Sequence, residues 1–166
     1  MRNNVLQKKK ESLLEWLIRP EGYYIRRYLK FLRAEEKYSF TKPNKLLAFW
    51  YKARKNRLGS RLGFIISAGS FGEDLHIWHY GSIIVHPEAR IGKNCNIHGN
   101  CCIGNSQPFG PAPMIGDNVD IGQGAQILGG IRIADNVKIG AGAVVVKDVL
   151  TSGVTVAGVP ARIIEG

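Results

Sequence analysis

The first 62 residues contain no aspartate, and the whole 166-residue chain has only three cysteines and no apolar run approaching the roughly 18 residues of a membrane span. Each absence excludes something. Cys95, Cys101 and Cys102 are too few and too close together for the disulfide framework of a small secreted domain, and their spacing is not that of zinc ligands. The opening MRNNVLQKKK lacks the continuous apolar stretch of a signal peptide, so a cytoplasmic protein is expected. The shortage of acid is local: residues 1–62 carry 17 Lys and Arg against 5 Glu, a net of +12, whereas residues 63–166 carry 6 against 8 acids, a net of −2. The overall charge of +10 therefore belongs to the N-terminal segment. No nucleic-acid-binding motif accompanies that charge, and no nucleic-acid partner is expected.

What is present is a period of six. Aliphatic residues stand at Val85, Ile91, Ile97 and Ile103, and again at Ile115, Ile121, Ile127, Ile133, Ile139 and Val145. Four places after every one of these except Ile103 comes a small or apolar residue: Ala89, Cys95, Cys101, Val119, Ala125, Ile131, Val137, Ala143 and Val149. Six matches neither the 3.6 of an amphipathic helix nor plain strand alternation. Ordinary parallel strands would need crossovers of a dozen or more residues, for which there is no room. A hexapeptide β-helix fits: each unit gives one short strand and one turn, three units close a triangular coil, and stacked coils bury an aliphatic column. Cys95 and Cys101 fall in the inward slot with Cys102 beside them, so all three are expected as buried, reduced thiols.

Residues 1–62 are predicted to be a basic amphipathic helical segment and 63–166 the repeat domain. A first helix is expected over 4–19, stopped by Arg19-Pro20. A second carries Tyr24, Ile25, Tyr28, Leu29, Phe31 and Leu32 on one face and Arg26, Arg27, Lys30 and Arg33 on the other. A third follows Pro43 and runs through the basic stretch 52–57 to Gly59 as its stop. Such helices can pack on the repeat or on a second subunit, or lie peripherally on the anionic inner face of a membrane.

The four histidines are His76, His79, His86 and His98, and counting back six from Val85 puts His79 in the aliphatic slot. An imidazole there is either buried with a partner or carried to the surface by a deviation of the coil. Between Ile103 and Ile115 the sequence GNSQPFGPAPM, with three prolines, predicts one unit plus a six-residue excursion loop at about 106–113.

The repeats, the Gly or Ala after many of the aliphatics, and the ending Ala157-Gly158-Val159-Pro160-Ala161-Arg162 resemble the left-handed parallel β-helix acyltransferases. The resemblance is to the branch of the serine acetyltransferases and the capsular and exopolysaccharide O-acetyltransferases. It implies a homotrimer with active sites in clefts between neighbouring prisms, acetyl-CoA as acyl donor and no metal. It matches His79 to the catalytic general base, a group able to take a hydroxyl proton near neutral pH, and places a backbone N–H at the developing oxyanion. For CoA it implies Gly104, Gln123, Gly124, Ala141 and Gly142, with Lys138, Lys147 and Arg162 as cations for the phosphates. Gln107 and Phe109 of the loop are expected to influence acceptor choice.

Four departures follow from the same match. Phe64 stands where the serine enzymes have the aspartate that orients the histidine, Trp78 replaces the aspartate just before it, and Pro111 and Ala112 replace an Arg-His pair. An orienting acid is then sought in Asp74 or Glu73, with His98 also able to approach. These apolar replacements predict an O-acetyltransferase acting on a carbohydrate hydroxyl in cell-surface polysaccharide biosynthesis, including lipid-linked acceptors. Serine O-acetyltransferase is the alternative, followed by a γ-carbonic-anhydrase-like zinc site and a non-catalytic scaffold.

Overall fold

The computed structural model describes residues 21–164; the helix expected over 4–19 lies outside the described residues. Helix α1 (Glu21–Glu36) buries Ile25, Tyr28, Leu32 and Glu35, one stripe at helical spacing. After a short π-helical turn, Lys37–Thr41, comes α2 (Lys45–Leu62), whose N-cap Asn44 accepts the Leu47 N–H at 3.1 Å. Helix α2 does not stop at Gly59. It runs on to Gly63, which takes the left-handed cap conformation at φ 80. Gly59 acts in packing instead. A Cβ there would lie 2.5 Å from the Phe64 carbonyl oxygen and 3.1 Å from the Tyr28 ring, so its bare backbone lets α2 lie against the first strand.

The strands follow in chain order: β1 (Phe64–Ile65), β2 (His76–Ile77), β3 (Ile83–Val85), β4 (Arg90–Ile91), β5 (Asn96–Ile97), β6 (Cys101–Gly104) and β7 (Met114–Ile115). Then come β8 (Asp120–Ile121), β9 (Gln126–Leu128), β10 (Arg132–Ile133), β11 (Lys138–Ile139), β12 (Val144–Val145), β13 (Thr155–Gly158) and β14 (Ala161–Ile164). They form three parallel walls. Wall one is β1-β3-β6-β9-β12, wall two β4-β7-β10, and wall three β2-β5-β8-β11-β13, closed by the antiparallel β14. Successive strands visit walls three, one and two in turn, so the chain winds as a three-sided coil. Every aliphatic of the six-residue series is buried, and Ile97, Ile103, Ile121 and Ile127 are 0% exposed. Burial of each such side chain contributes about 1.5–3 kcal/mol.

Register identifies the irregular places. In the later coils partners are 18 residues apart, as in Ile115 with Ile133 and Ile121 with Ile139. Ile91 pairs with Ile115 and Ile103 with Ile127, a step of 24, so six residues leave the wall between β6 and β7. Ile77 pairs with Ile97, a step of 20, while Val85 pairs with Ile103 at 18. Two additional residues therefore sit between β2 and β3.

The three corners of the prism differ in composition. Between walls two and three, Asn94, Asn118 and Asn136 all adopt left-handed conformations, which asparagine tolerates better than most residues. Their amides form a ladder, Asn94 to Asn118 at 3.0 Å, Asn118 to Asn136 at 3.1 Å and Asn136 to the Ser152 hydroxyl at 3.2 Å. Asp117 and Asp135 brace the same corner by accepting the N–H groups of Lys93 and Asp117, each at 2.7 Å. We call this the ladder corner, that between walls three and one the site corner, and that between walls one and two the loop corner.

The helices share one hydrophobic core with the first coil. Two residues expected on their basic surface are engaged instead. Lys55 is buried, 2.8 Å from the Glu35 carboxylate and donating to the Ile66 carbonyl at 2.7 Å. Arg33 donates to the carbonyls of Phe71 and Gly72 and pairs with Glu36 at 2.8 Å. A charge-rich helix can present cations on both faces when the neighbouring element offers unpaired carbonyls, and hydropathy alone does not register this. Among the described residues no helix is long and apolar enough to cross a membrane.

Candidate active site

The two extra residues decide where the histidine goes. Ile77, not His79, fills the aliphatic slot beside Ile97, and His79 rides on the widened corner with its side chain 58% exposed. The six-residue count from Val85 runs through that insertion, which is why it misplaces His79 in the wall. Tight backbone packing seats the widened corner on the next coil. A Cβ on Gly99 would lie 2.2 Å from the Tyr80 carbonyl oxygen, Gly81 has φ 122, and Asn100 Oδ1 accepts the Ser82 N–H at 3.1 Å.

Around His79 the polar groups come from several elements. Trp78 stacks on His76, with ring centroids 4.5 Å apart, and on His98 at 5.7 Å with planes 7° apart, while its Nε1 donates to Asn96 Oδ1 at 3.3 Å. The His98 ring lies 6.4 Å from that of His79, and its Nε2 is 3.4 Å from Asp120 Oδ1 on β8. Glu21, in the first turn of α1, places Oε2 3.6 Å from His79 Nδ1 while Oε1 accepts the Tyr80 N–H. No spacing rule connects residue 21 to residue 79; α1 folding back over the first coil brings them together.

Asp74 and Glu73 are elsewhere. Asp74, at φ 56, occupies the left-handed position of the ladder corner one coil before Asn94, and Glu73 lies 3.6 Å from Lys93. Neither is at the site corner. Phe64 is buried, edge-on to the Tyr28 ring at 5.2 Å.

The residues expected to meet CoA divide into three groups. Gln123, Gly124, Ala141 and Gly142 stack along the site corner beyond Gly99, with Gly124 N–H donating to Gly99 O at 3.0 Å and Gly142 N–H to Gln123 O at 2.8 Å. Gly104, Lys147 and the loop residues Gln107 and Phe109 lie at the opposite edge of wall one. There Phe109 is fully exposed and the turn closes through Gly110 N–H to Gln107 O at 3.0 Å. Lys138 and Arg162 lie on wall three. Within one chain, wall one therefore separates the loop from His79.

The thiols are ill suited to nucleophilic chemistry. Burial, with Asp120 and Cys101 adding to it, pushes the Cys95 thiol up to about 12, and burial also raises Cys101 and Cys102. Cys102 is half-buried on the outer face of wall one, not inside the prism as expected. Among the described residues no three His, Cys, Asp or Glu side chains are grouped to hold a metal ion.

Comparison with known proteins adds to this geometry. The family described as bacterial transferase hexapeptide (six repeats) matches residues 112–147. A serine acetyltransferase of Mycobacterium tuberculosis is 35% identical over 130 residues, covering 71% of this chain and 56% of that protein. Soybean serine acetyltransferase apoenzyme superposes with a TM-score of 0.72 at 29% identity, covering 86% of this chain and 58% of that one. The Brucella abortus serine acetyltransferase in complex with Coenzyme A superposes at 0.67 with 31% identity, covering 82% and 54%. The chain thus spans little more than half the length of these relatives. With its hexapeptide repeats and its helical lead-in, this protein has the left-handed parallel β-helix fold of the serine acetyltransferases.

Proposed function

We propose that the chain transfers an acetyl group from acetyl-CoA to a hydroxyl, with His79 as general base and serine as the best-supported acceptor. The observation that carries the reading is an exposed imidazole standing on the same prism corner as an open column of glycine backbone. Gly142 has φ 67 and no atom within 4 Å of the place a Cβ would occupy, and Gly124 has φ 75 with its nearest such neighbour at 3.8 Å. A thin pantetheine arm can lie against such backbone where side chains would hold it off. CoA would supply the acetyl thioester; His79 would take the hydroxyl proton as the new bond forms.

The support for serine is the chain's likeness to serine acetyltransferases, one of them a structure with Coenzyme A. That likeness favours serine over the expected polysaccharide acceptor, which the relatives do not support, and gives no support to a lipid-linked sugar or to contact with a membrane. A sugar hydroxyl stays as a second reading on one observation: Phe64 is buried and apolar where an acid is expected, and Pro111 and Ala112 offer no charge to grip an amino acid.

A homotrimer fits the outer face of wall one, where Ile65, Ile84, Cys102, Gln126 and Val144 follow one another in register. Ile65 and Ile84 are exposed there, whereas the matching column on wall three reads His76, Asn96, Asp120, Lys138 and Thr155. A neighbour docked along wall one would bring its loop corner toward this chain's site corner, which joins the separated residues Gln107 and Phe109 to His79.

The test is thiol release from acetyl-CoA with serine present. Serine-dependent release that falls about 100- to 10,000-fold in His79→Ala, with CoA affinity by calorimetry unchanged, is expected. Release with a panel of monosaccharides but not with serine would favour the second reading. Full activity in His79→Ala would end both.

A further inference from the structure

The resemblance leaves the base without its orienting acid, because position 64 is a buried phenylalanine. We propose that Glu21, at the head of α1, is the positioning residue for His79 and supplies from the helical segment what the prism wall lacks. This rests on the reading of His79 as the base.

Three observations carry it. Glu21 Oε2 lies 3.6 Å from His79 Nδ1, a few tenths of an ångström beyond hydrogen-bond length, while its other oxygen is fixed by the Tyr80 N–H on the same corner. A carboxylate held at one oxygen by the backbone of this corner turns its other oxygen toward the ring. Glu21 also stands in the first turn of α1, where a negative charge is favoured by the unpaired N–H groups of the helix. Among the described residues the other carboxylate paired with a histidine, that of Asp120, faces His98 at 3.4 Å. Besides Glu21, the titratable groups around His79 are His98 and Tyr80, with Tyr24 behind Tyr80.

The chemistry follows from the two ring nitrogens. With Nδ1–H donating to Glu21, Nε2 keeps its lone pair and faces outward as the base. As the acceptor oxygen bonds to the acetyl carbon, its proton passes to Nε2 and the carboxylate stabilises the resulting imidazolium. When the carbon–sulfur bond breaks, Nε2 returns the proton to the departing thiolate. Glu21 itself stays ionised throughout.

The three variants Glu21→Ala, Glu21→Gln and Glu21→Asp, made in the full chain, test this. Glu21→Ala should lower kcat about tenfold to a hundredfold while KM for acetyl-CoA stays within about twofold. Glu21→Gln, whose carbonyl can still accept from Nδ1–H without carrying charge, should fall between Ala and the parent. Glu21→Asp, one methylene short of the ring, should behave more like Ala. An independent readout is the tautomer of the neutral His79 ring by ¹⁵N NMR, assigned with His79→Gln: mainly Nδ1–H in the parent, shifted toward Nε2–H in Glu21→Ala. If His79→Ala is inactive but Glu21→Ala keeps the parent kcat and tautomer, Glu21 has no such role. If Glu21→Ala loses activity only in step with a lowered unfolding midpoint and the tautomer is unchanged, the residue merely fastens the helix and the proposal fails. If His79→Ala stays active, the general base reading falls and the catalytic role of Glu21 with it, while the tautomer measurement still decides whether Glu21 holds the ring.

Discussion

The two corners that flank wall three turn the same chain through the same angle with opposite materials. The ladder corner is filled as far as its last coil, where Gly153 is open: amides of Asn94, Asn118 and Asn136 bond in a column, aspartates brace the backbone, and a Cβ on Gly116 would lie 2.1 Å from Asp135 Oδ1. The site corner is filled at Gly81, Gly99, Gly122 and Gly140 but open at Gly124 and Gly142, and it carries a two-residue widening that lifts His79 out of the wall. One corner holds its coils together with a column of amides; in the matching left-handed position the other has Asn100 and then glycine at 124 and 142. In a repeat where every coil could have been built alike, that difference fits the path proposed for the pantetheine arm.

Substitutions at equivalent depths can break the comparison. Gly116→Ala should cost the most, about 2–3 kcal/mol, because the new methyl displaces the Asp135 carboxylate from the Asp117 N–H it accepts. A urea unfolding midpoint close to the parent's would show the ladder corner to be looser than its distances say. Asn118→Ala comes next, at about 1.5–2 kcal/mol. It removes two ladder bonds and leaves at φ 57 an alanine, which lacks the short polar side chain that lets asparagine tolerate that backbone. Asn118→Gly relieves the backbone but not the ladder, so it should recover roughly half; equal losses in the two variants would assign the whole effect to the amides.

Most of the prism could be read before any coordinates, because burial of the aliphatic series is a property of period alone. Ile97, Ile121 and Ile139 had to share one wall once three units close a coil and six residues leave it after Ile103, and they do. The ladder was also written in the chain. Asn94, Asn118 and Asn136 each stand three places after Ile91, Ile115 and Ile133, a spacing that passes unnoticed when only apolar residues are counted. The widened corner is harder, since Ile77 and Ile83 are themselves six apart and either frame satisfies the count up to Val85. Only the cross-coil pairing of Ile77 with Ile97 chooses between them. Glu21 carries no signal of its own: its place beside His79 follows from how α1 docks, through Glu35 with Lys55, Glu36 Oε1 accepting the Gly69 N–H at 3.0 Å, and Arg33 on the first coil. Contacts between an appended helix and a repeat are set by tertiary packing, and short-range pattern does not encode them.

Gly142→Ala is the smallest expected effect on stability and the sharpest on function. The methyl meets nothing within 4 Å, so the only folding cost is the left-handed backbone at φ 67, about 1 kcal/mol. The same methyl would stand where the pantetheine arm is proposed to run. KM for acetyl-CoA should therefore rise severalfold while kcat and KM for the acceptor hold. If the variant instead unfolds as readily as Gly116→Ala, the site corner is packed like its neighbour and the contrast between them disappears. If it is stable and KM does not move, the corner is open for some other reason, and the donor must approach His79 from the face of wall one.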